Sequence, residues 1–187
     1  MNDTGAEFWA SGRGLDLIED PSEFPEGNLF KQHYTDLMFA QDVVDFGCGK
    51  GRMAELFSKK RYLGVDICQP AIAAAQEKMH GYRFEAIDNE APIEFGFVLF
   101  AHDVMLHIPD DELYRTIGRF RQRRVIISEC LGVDLRDKCK VFSREIEGYN
   151  RPFAAAGYRL ARVQDKPWRA GRPITFLEFH QEHQNAR

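Results

Sequence analysis

The sequence has no CxxC pair, no internal repeat and no long apolar run, and each absence excludes a class of protein. Its four cysteines, Cys48, Cys68, Cys130 and Cys139, stand apart, so we expect a reducing compartment and no structural zinc. The longest apolar stretch, 95–101, is too short to span a bilayer, and the first ten residues lack the basic and then apolar order of a secretory signal. We therefore expect a cytoplasmic protein without a membrane anchor.

The sequence also lacks an excess of basic charge. It has 25 Lys and Arg residues against 29 Asp and Glu residues, a formal net charge of -4. Such a chain has no overall positive field to attract a phosphate backbone, so non-specific nucleic-acid binding is not the expected function. Four arginines cluster at Arg119, Arg121, Arg123 and Arg124, but cations at a helix C-terminus are favoured by its dipole and need no partner. An RNA-binding patch there is the less favoured alternative.

Short apolar runs alternate with amphipathic ones in the middle of the chain, which predicts a parallel α/β sheet. The predicted strands are 42–46, 61–67, 82–87, 95–100 and 124–129. The predicted helices are 53–59, 71–79, which Pro70 would start, and 110–120.

The two ends of the chain depart from this alternation. A helix at 143–156 is closed by Gly157, and the strand-like runs 158–163 and 174–180 follow it and are expected to pair antiparallel at one edge. We predict a single domain, with a cap segment at 1–41, a core at 42–187 and a loop at 131–140. Candidate residues for the wall of a substrate pocket are Trp9, Arg13, His33, Tyr34 and Trp168.

The most informative segment is 43–52, VVDFGCGKGR, a strand that runs into Gly47, Gly49 and Gly51. Glycines at alternate positions leave the main chain bare, so a ligand can lie against it without meeting a Cβ atom. The spacing is GxGxG rather than the GxGxxG of dinucleotide enzymes. Asp45 places a carboxylate near the loop, which suits an ammonium or hydroxyl group better than a phosphate.

This segment resembles the first motif of the class I S-adenosylmethionine-dependent methyltransferases, an acidic residue followed by xGxGxG. The resemblance continues through 64–67, 86–89 and 97–108. It implies a Rossmann-like three-layer sandwich with a mostly parallel sheet, an antiparallel C-terminal edge and a short N-terminal cap. It also implies S-adenosylmethionine as the cofactor and S-adenosylhomocysteine as the product.

The resemblance implies a role for individual residues of this sequence in binding the cofactor. The carboxylate of Asp66 would accept hydrogen bonds from the ribose hydroxyls, Ile67 would pack on the adenine, and Asp88 would meet the adenine amino group with a backbone contact from Asn89. Ala101 and His102 would line the methionine end. The remaining predicted cofactor-binding residues are those of the first motif, Asp45, Gly47, Cys48, Gly49 and Gly51; Cys48 is interpreted as a small loop residue and not as a nucleophile.

Methyl transfer from a sulfonium mainly requires that nucleophile, carbon and sulfur be held in line in a dry pocket. A hydroxyl or protonated amine acceptor also needs a base, and histidine is suited to neutral pH. The candidates are His102, Asp103 and His107, which follow the fourth strand at the edge of the sheet where ligands bind. For His107, a role in packing is an open alternative to a role as the base.

Several family patterns are missing, and these absences narrow the acceptor. The sequence has no [DNS]-P-P-[YFW] tetrapeptide after the fourth strand and no Pro-Cys nucleophile, which argues against methylation of DNA bases. Ser128-Glu129-Cys130 is not the Asp-Asn pair of the magnesium-dependent members, so we predict no metal. The expected reaction is methylation of an oxygen or nitrogen of a small molecule or saccharide. The alternatives are an RNA or protein methyltransferase and a non-catalytic cofactor-binding subunit; the sequence leaves the oligomeric state open.

Overall fold

A mixed, largely parallel sheet with helices packed against it forms the centre of the fold. The computed structural model describes residues 5–18, 41–132, 141–167 and 173–182. Within those ranges the strands are β1 Val43–Phe46, β2 Tyr62–Asp66, β3 Arg83–Ala86, β4 Val98–His102, β5 Arg124–Glu129, β6 Tyr158–Pro167 and β7 Pro173–Gln181. The helices are α1 Gly5–Ala10, α2 Gln69–Lys78, α3 Asp110–Ile117 and α4 Ile146–Ala155. Single 3-10 turns lie at Leu15–Leu17, Ala54–Leu56, Lys59–Arg61 and Met105–His107.

The strand order is β3-β2-β1-β4-β5-β7-β6. The first five of these strands run parallel, whereas β7 is antiparallel to both β5 and β6. The order reverses between β1 and β4, and in such sheets ligands bind at the carboxyl ends of the strands beside this reversal. The predicted antiparallel C-terminal edge and the Rossmann-like α/β class are therefore confirmed.

Adjacent residues of the central strands are buried on opposite faces of the sheet, which is why these strands are apolar at almost every position. Val43 packs in a cluster with Tyr62 and Phe100, and its neighbour Val44 packs in another with Leu99. Burial on both faces is the usual condition of a parallel strand that has helices on either side. The central strands therefore place their carboxyl ends rigidly.

One predicted helix is wrong. Residues 53–59 form no α-helix: the 3-10 turn Ala54–Leu56 ends at Phe57, which is extended with φ of -117° and ψ of 158°, and a second 3-10 turn begins only at Lys59. The extended backbone places the Phe57 ring in the core, stacked on Tyr62 at 5.5 Å between ring centroids. Aromatic packing across the sheet overrides the local helical spacing.

The other predicted elements are present with shifted ends. The predicted 110–120 helix ends at Ile117, the predicted 143–156 helix begins at Ile146, and Gly157 follows it with φ of 83° as expected for a helix-closing glycine. Pro70 lies in the first turn of α2 as predicted. No helix among the described residues is long and apolar enough to cross a membrane.

The N-terminal cap is described only over residues 5–18, as α1 and the 3-10 turn after it. His33, Tyr34 and Trp168, and most of the loop predicted at 131–140, lie outside the described residues. The division of the chain at residue 41 stays a prediction.

Candidate active site

The glycine loop after β1 adopts a backbone that only glycine accepts without strain. Gly47, Gly49 and Gly51 have φ angles of 73°, 55° and 82°. A Cβ atom on Gly47 would lie 2.5 Å from Val104, and one on Gly49 would lie 2.6 Å from Ile18. The loop is anchored to β2, since the amides of Gly47 and Cys48 both donate to the carbonyl of Val65. Both the conformation and the available space therefore require glycine.

The carboxylate of Asp66 at the end of β2 faces this loop. Its Oδ2 accepts a 2.8 Å hydrogen bond from the amide of Gly49, and its Oδ1 accepts one of 2.8 Å from the amide of Cys68. Burial raises the pKa of this carboxyl, and the two amide bonds oppose the rise. Because a carboxylate oxygen has two lone pairs, Oδ1 and Oδ2 of Asp66 can each accept one further hydrogen bond.

A cavity of about 280 Å³ opens beside the loop at the carboxyl edge of the sheet. The predicted site residues that line it are Gly47, Cys48, Gly49, Asp66, Ile67, Asn89, His102, Asp103 and His107. Residues that line it from elsewhere in the chain include Ala6, Trp9, Leu17, Ile18, Arg52, Ile87, Val104, Ile108, Glu112 and Thr116. The structure thus brings both the predicted cofactor-binding residues and the predicted catalytic residues to one cavity.

Four predicted cofactor-binding residues are not among the described residues that line the cavity. Asp45 is 1% exposed behind the loop, where its Oδ2 accepts a 2.7 Å hydrogen bond from the hydroxyl of Tyr62. A side chain on Gly51 would meet Phe84 of the core. The Asp45 carboxylate and the Cβ position of Gly51 both point into the core, so the structure gives no support to cofactor contact by these two residues.

Asp88 and Ala101 also lie away from the cavity, for different reasons. Asp88 is exposed, and its Oδ1 accepts hydrogen bonds from the amides of Glu90 and Ala91 in its own turn. These bonds lower the pKa of the carboxyl. Ala101, a residue of β4, is fully buried on one face of the sheet, and its neighbour His102 lies on the opposite face.

The cysteine of the loop has no sign of activation. Cys48 lines the cavity but is 5% exposed, and burial raises the pKa of its thiol well above the usual value. Its interpretation as a small loop residue fits this environment. Within the described residues, no group of three or more His, Cys, Asp or Glu side chains is placed to hold a metal ion; that the reaction needs no metal stays a prediction.

The turn after β4 is strained and carries the candidate catalytic residues. Asp103 has φ of 52°, a left-handed conformation that costs a non-glycine residue about 1–3 kcal/mol. Nδ1 of His102 lies 2.7 Å from the hydroxyl of Ser128, and Nε2 of His102 lies 3.6 Å from the Asp103 carboxylate. Arg52 lies 3.8 Å from the same carboxylate. Strain of this kind is concentrated at active sites, where the surrounding structure maintains it.

His107 ends the 3-10 turn Met105–His107 and is half-buried at the cavity wall. Its ring lies edge to face with the Trp9 indole, at 5.1 Å between centroids. The Trp9 ring packs directly against Gly14, where a Cβ atom would lie 2.4 Å from the ring, so only glycine fits at position 14. The predicted pocket-wall role of Trp9 thus agrees with its position; among the described residues Arg13 is not part of the lining.

Sequence reasoning missed several residues of the site. Ile18 covers Gly49, and Glu129 holds the turn after β4 by accepting hydrogen bonds from two of its amides. The acidic residue at the end of the fully buried strand β5 was a usable signal for Glu129, since a carboxylate there needs donors. No sequence pattern indicates Ile18.

Three members of the arginine cluster have partners within the fold. Arg119 is 6% exposed and donates to the carbonyls of Asp88 and Ala91, and Arg121 donates to those of Gly118 and Phe120. Arg124 forms an ion pair of 2.8 Å with Glu178 of β7. This disposition does not favour an RNA-binding patch.

Comparison with known proteins agrees with this geometry. Residues 43–123 match a family model described as a methyltransferase domain. The chain is 33% identical over 119 residues to the ribosomal protein L11 methyltransferase of Desulfotalea psychrophila, a match that covers 57% of this chain and 39% of that protein. The chain therefore spans well under half of that relative.

Solved structures share the fold at low sequence identity. Magnesium protoporphyrin IX methyltransferase from Synechocystis, with bound S-adenosylhomocysteine, has a TM-score of 0.66 at 16% identity and covers 94% of this chain and 96% of its own. The [4+2]-cyclase SpnF has a TM-score of 0.70 at 12% identity, over 96% of this chain and 97% of its own. The mitomycin 7-O-methyltransferase MmcR has a TM-score of 0.66 at 17% identity, over 86% of this chain and 55% of its own. The sheet order, the glycine loop and the domain match over residues 43–123 all agree with the resemblance of this sequence to the class I S-adenosylmethionine-dependent methyltransferases.

Proposed function

We propose that this protein transfers a methyl group from S-adenosylmethionine to an oxygen or nitrogen atom of a small molecule or saccharide. The observation that carries the proposal is that one cavity is lined both by the bare glycine loop with Asp66 and by the strained turn with His102, Asp103 and His107. Residues suited to bind the cofactor, the first wall, and residues able to accept a proton, the second wall, thus line the same cavity.

The residues of the first wall fit the cofactor. Gly47, Cys48 and Gly49 of the loop line the cavity, so a ligand there can lie against main chain that carries little side chain. Asp66 would accept hydrogen bonds from the ribose hydroxyls, and Ile67 and Ile87 would contact the adenine with apolar surface. When bound, S-adenosylmethionine supplies an electrophilic methyl group on a positively charged sulfur.

The residues of the second wall handle the proton of the acceptor. A ring nitrogen of His107 would take the proton from an acceptor hydroxyl or ammonium group. Asp103 presents a carboxylate to the same cavity, where it would orient an acceptor donor group or stabilise a protonated imidazole. His102, whose ring is held by Ser128, would border the methionine end of the cofactor.

The N-terminal segment and the turn after β4 would exclude water. Trp9, Ile18, Val104 and Ile108 give the cavity apolar walls beside the loop. In-line displacement requires mainly that the reactants be held close and aligned, which such walls promote.

Calorimetry with S-adenosylhomocysteine tests the cofactor site. We expect Asp66→Ala to weaken binding by about 1.5–3 kcal/mol, because hydrogen bonds to a charged group are lost. Asp88→Ala is the matched comparison, and since Asp88 lies outside the lining we expect a smaller effect. Wild-type protein that shows no binding at sub-millimolar S-adenosylhomocysteine would contradict the proposal.

Isotope transfer tests the reaction and identifies the acceptor. Purified protein is incubated with methyl-labelled S-adenosylmethionine and a cell extract, and label is followed in the small-molecule, protein and RNA fractions. We expect label in small molecules or saccharides. His107→Gln should lower the rate by about a hundredfold, within the range for loss of a general base, with little change in cofactor affinity. An unchanged rate would exclude His107 as the base.

Protein methylation is the second candidate. It is favoured by the match to an enzyme named for ribosomal protein L11. Label confined to the protein fraction would select it over the first proposal. Cofactor binding with no label in any fraction would instead indicate a non-catalytic binding subunit.

A further inference from the structure

The buried side chains of one acidic and one basic residue, both from distant parts of the chain, form hydrogen bonds with the main chain of the turn 103–108 after β4. Glu129, the last residue of β5, is completely buried. Its Oε1 accepts hydrogen bonds from the amide of Val104 at 3.2 Å and from the amide of Met105 at 2.8 Å. These are amides at the start of a helical turn, where the backbone has no partner of its own.

Arg144 holds the carbonyl groups of the same turn. Its Nη1 donates to the carbonyl of Met105 at 2.9 Å, and its Nη2 donates to that of Ile108 at 2.5 Å. Its Nε donates to the carboxylate of Asp110 at 2.7 Å. The Arg144 side chain is 4% exposed, so its hydrogen bonds to the turn form in the protein interior rather than at the surface.

The two side chains satisfy opposite halves of the backbone. Glu129 accepts from the amides with which the turn begins, and Arg144 donates to carbonyls at its middle and end. A further main-chain bond joins the carbonyl of Leu106 to the amide of Phe142, close to Arg144 in the chain. The amide of Asp103 donates to the carbonyl of Ser128, beside Glu129.

The contacts hold a conformation that the turn would not adopt alone. Asp103 has a left-handed backbone at the start of the turn, and His107 lies at its end against Trp9. Fixing both residues requires partners on both sides, because a single bond would leave the turn free to pivot. We propose that Glu129 and Arg144 are positioning residues that fix the turn 103–108 and so place Asp103 and His107 for methyl transfer; the catalytic part of this inference rests on the proposed function.

The environment of the Glu129 carboxyl decides which substitutions test its role. Burial and the nearby charge of Asp103 raise the pKa of the Glu129 carboxyl well above its usual value. Both hydrogen bonds go to Oε1 alone, and the amide oxygen of glutamine supplies an acceptor at the same position. Glu129→Gln should retain both hydrogen bonds, whereas Glu129→Ala removes them.

A spectroscopic signature of the turn is available without knowledge of the acceptor. The Trp9 indole lies 5.1 Å from the His107 ring between centroids, so we expect its ring current to shift the ring-proton NMR resonances of His107. His107→Gln assigns these resonances, and Trp9→Leu shows how much of their shift comes from the indole. We expect Glu129→Ala and Arg144→Met to lose most of that contribution, and Glu129→Gln to keep it.

A second ion pair supplies matched controls. Glu178 and Arg124 pair at 2.8 Å between β5 and β7, with side chains only 14% and 11% exposed, and are not among the described residues that line the cavity. Glu178→Ala and Arg124→Met should lower stability while leaving the His107 resonances unchanged. Equal loss of the resonance shift in these controls would overturn the inference, because it would show a general loss of packing.

Activity and cofactor binding complete the test. With the acceptor found by isotope transfer, we expect Glu129→Ala and Arg144→Met to lower kcat by about a hundredfold, the effect of misplacing a reacting group by about 1 Å, and Glu129→Gln to restore most of it. Retention of the wild-type His107 shift in both variants would refute the positioning role. Calorimetry with S-adenosylhomocysteine separates the two proposals: absent binding by wild-type protein counts against the proposed function, whereas the NMR result judges the turn itself.

Discussion

Asp45 shows how burial changes the chemistry of one residue in the first motif. Its carboxyl is completely enclosed and accepts a hydrogen bond from Tyr62. Desolvation raises its pKa from 3.8 to about 7, although the bond from Tyr62 and the charge of Arg52 oppose the rise. Since this pKa lies near physiological pH, the protonated and ionised forms of the carboxyl are both populated there. Asp45 therefore supports the loop through its hydrogen bond as much as through its charge.

Asp45 is therefore expected to make stability depend on pH. The folded pKa exceeds the unfolded value, so its contribution is fully present below about pH 3.8 and is lost as the pH rises through about 7. Asp45→Asn keeps an acceptor for Tyr62 but cannot ionise. We expect its free energy of unfolding to exceed that of the wild type by up to about 4 kcal/mol at alkaline pH. Urea denaturation across this pH range measures the difference.

Asp88 provides the opposite sign as a control. Its pKa is lowered by backbone hydrogen bonds, so its contribution is present above the unfolded pKa and is lost as the pH falls. Asp88→Asn should therefore be less stable than the wild type at neutral pH and approach it in acid. A difference for Asp45→Asn that stays constant with pH would show that the carboxyl is not the group responsible.

At the scale of elements, the glycine loop is defined by conformation and by what lies over it. Gly49 combines φ of 55° with Ile18 2.6 Å from the place where a Cβ would stand. Gly157, at the end of α4, has φ of 83° but nothing within 4 Å of that place. Comparison of Gly49 with Gly157 therefore distinguishes the cost of a left-handed backbone from the cost of a steric clash.

Alanine at these two glycines should have different consequences. Gly157→Ala should cost about 1–2 kcal/mol of stability, the price of a left-handed backbone, and leave cofactor affinity unchanged. Gly49→Ala should cost at least as much and also weaken S-adenosylhomocysteine binding by about tenfold or more, because the added methyl displaces Ile18 or the loop itself. Calorimetry and thermal unfolding of both variants measure these effects; equal affinities would refute the role given to the space at Gly49.

At the scale of the whole molecule, the site depends on parts of the chain that meet only in the folded state. The N-terminal segment supplies Trp9 and Ile18, the loop after β1 supplies the glycines, and the segment before α4 supplies Arg144. The residues that line the cavity come from positions between Ala6 and Thr116, and Arg144 supports the wall from further along the chain. Binding should stabilise the whole fold rather than one loop.

Thermal unfolding with S-adenosylhomocysteine tests this expectation. A ligand at a hundred times its Kd adds about 2.7 kcal/mol, which for a chain of this size corresponds to a rise in Tm of roughly 5–10 °C. At the same concentration Asp66→Ala should show a smaller rise. An unchanged Tm for wild-type protein at saturating ligand would mean that the ligand does not select the folded state.

The sequence by itself determined the features that depend on neighbouring residues. Apolar runs predicted the central strands because burial on both faces leaves a local pattern. The alternating glycines of the first motif predicted a loop with a bare main chain, because the absence of a Cβ is a property of glycine itself. Asp66 is the last residue of β2, and its carboxylate accepts a hydrogen bond from the Gly49 amide of the loop; its role toward the ribose stays a prediction.

Only the tertiary structure decided the features that depend on distant residues. Phe57 left the predicted helix to stack on Tyr62, and Asp45 turned away from the cavity toward the same residue. Glu129 bonds residues of the turn 24 and 25 positions before it in the chain, and Arg144 bonds residues 36 and 39 positions before it. Such contacts arise from packing and from the need to satisfy buried polar groups, and neither leaves a periodic trace in the sequence.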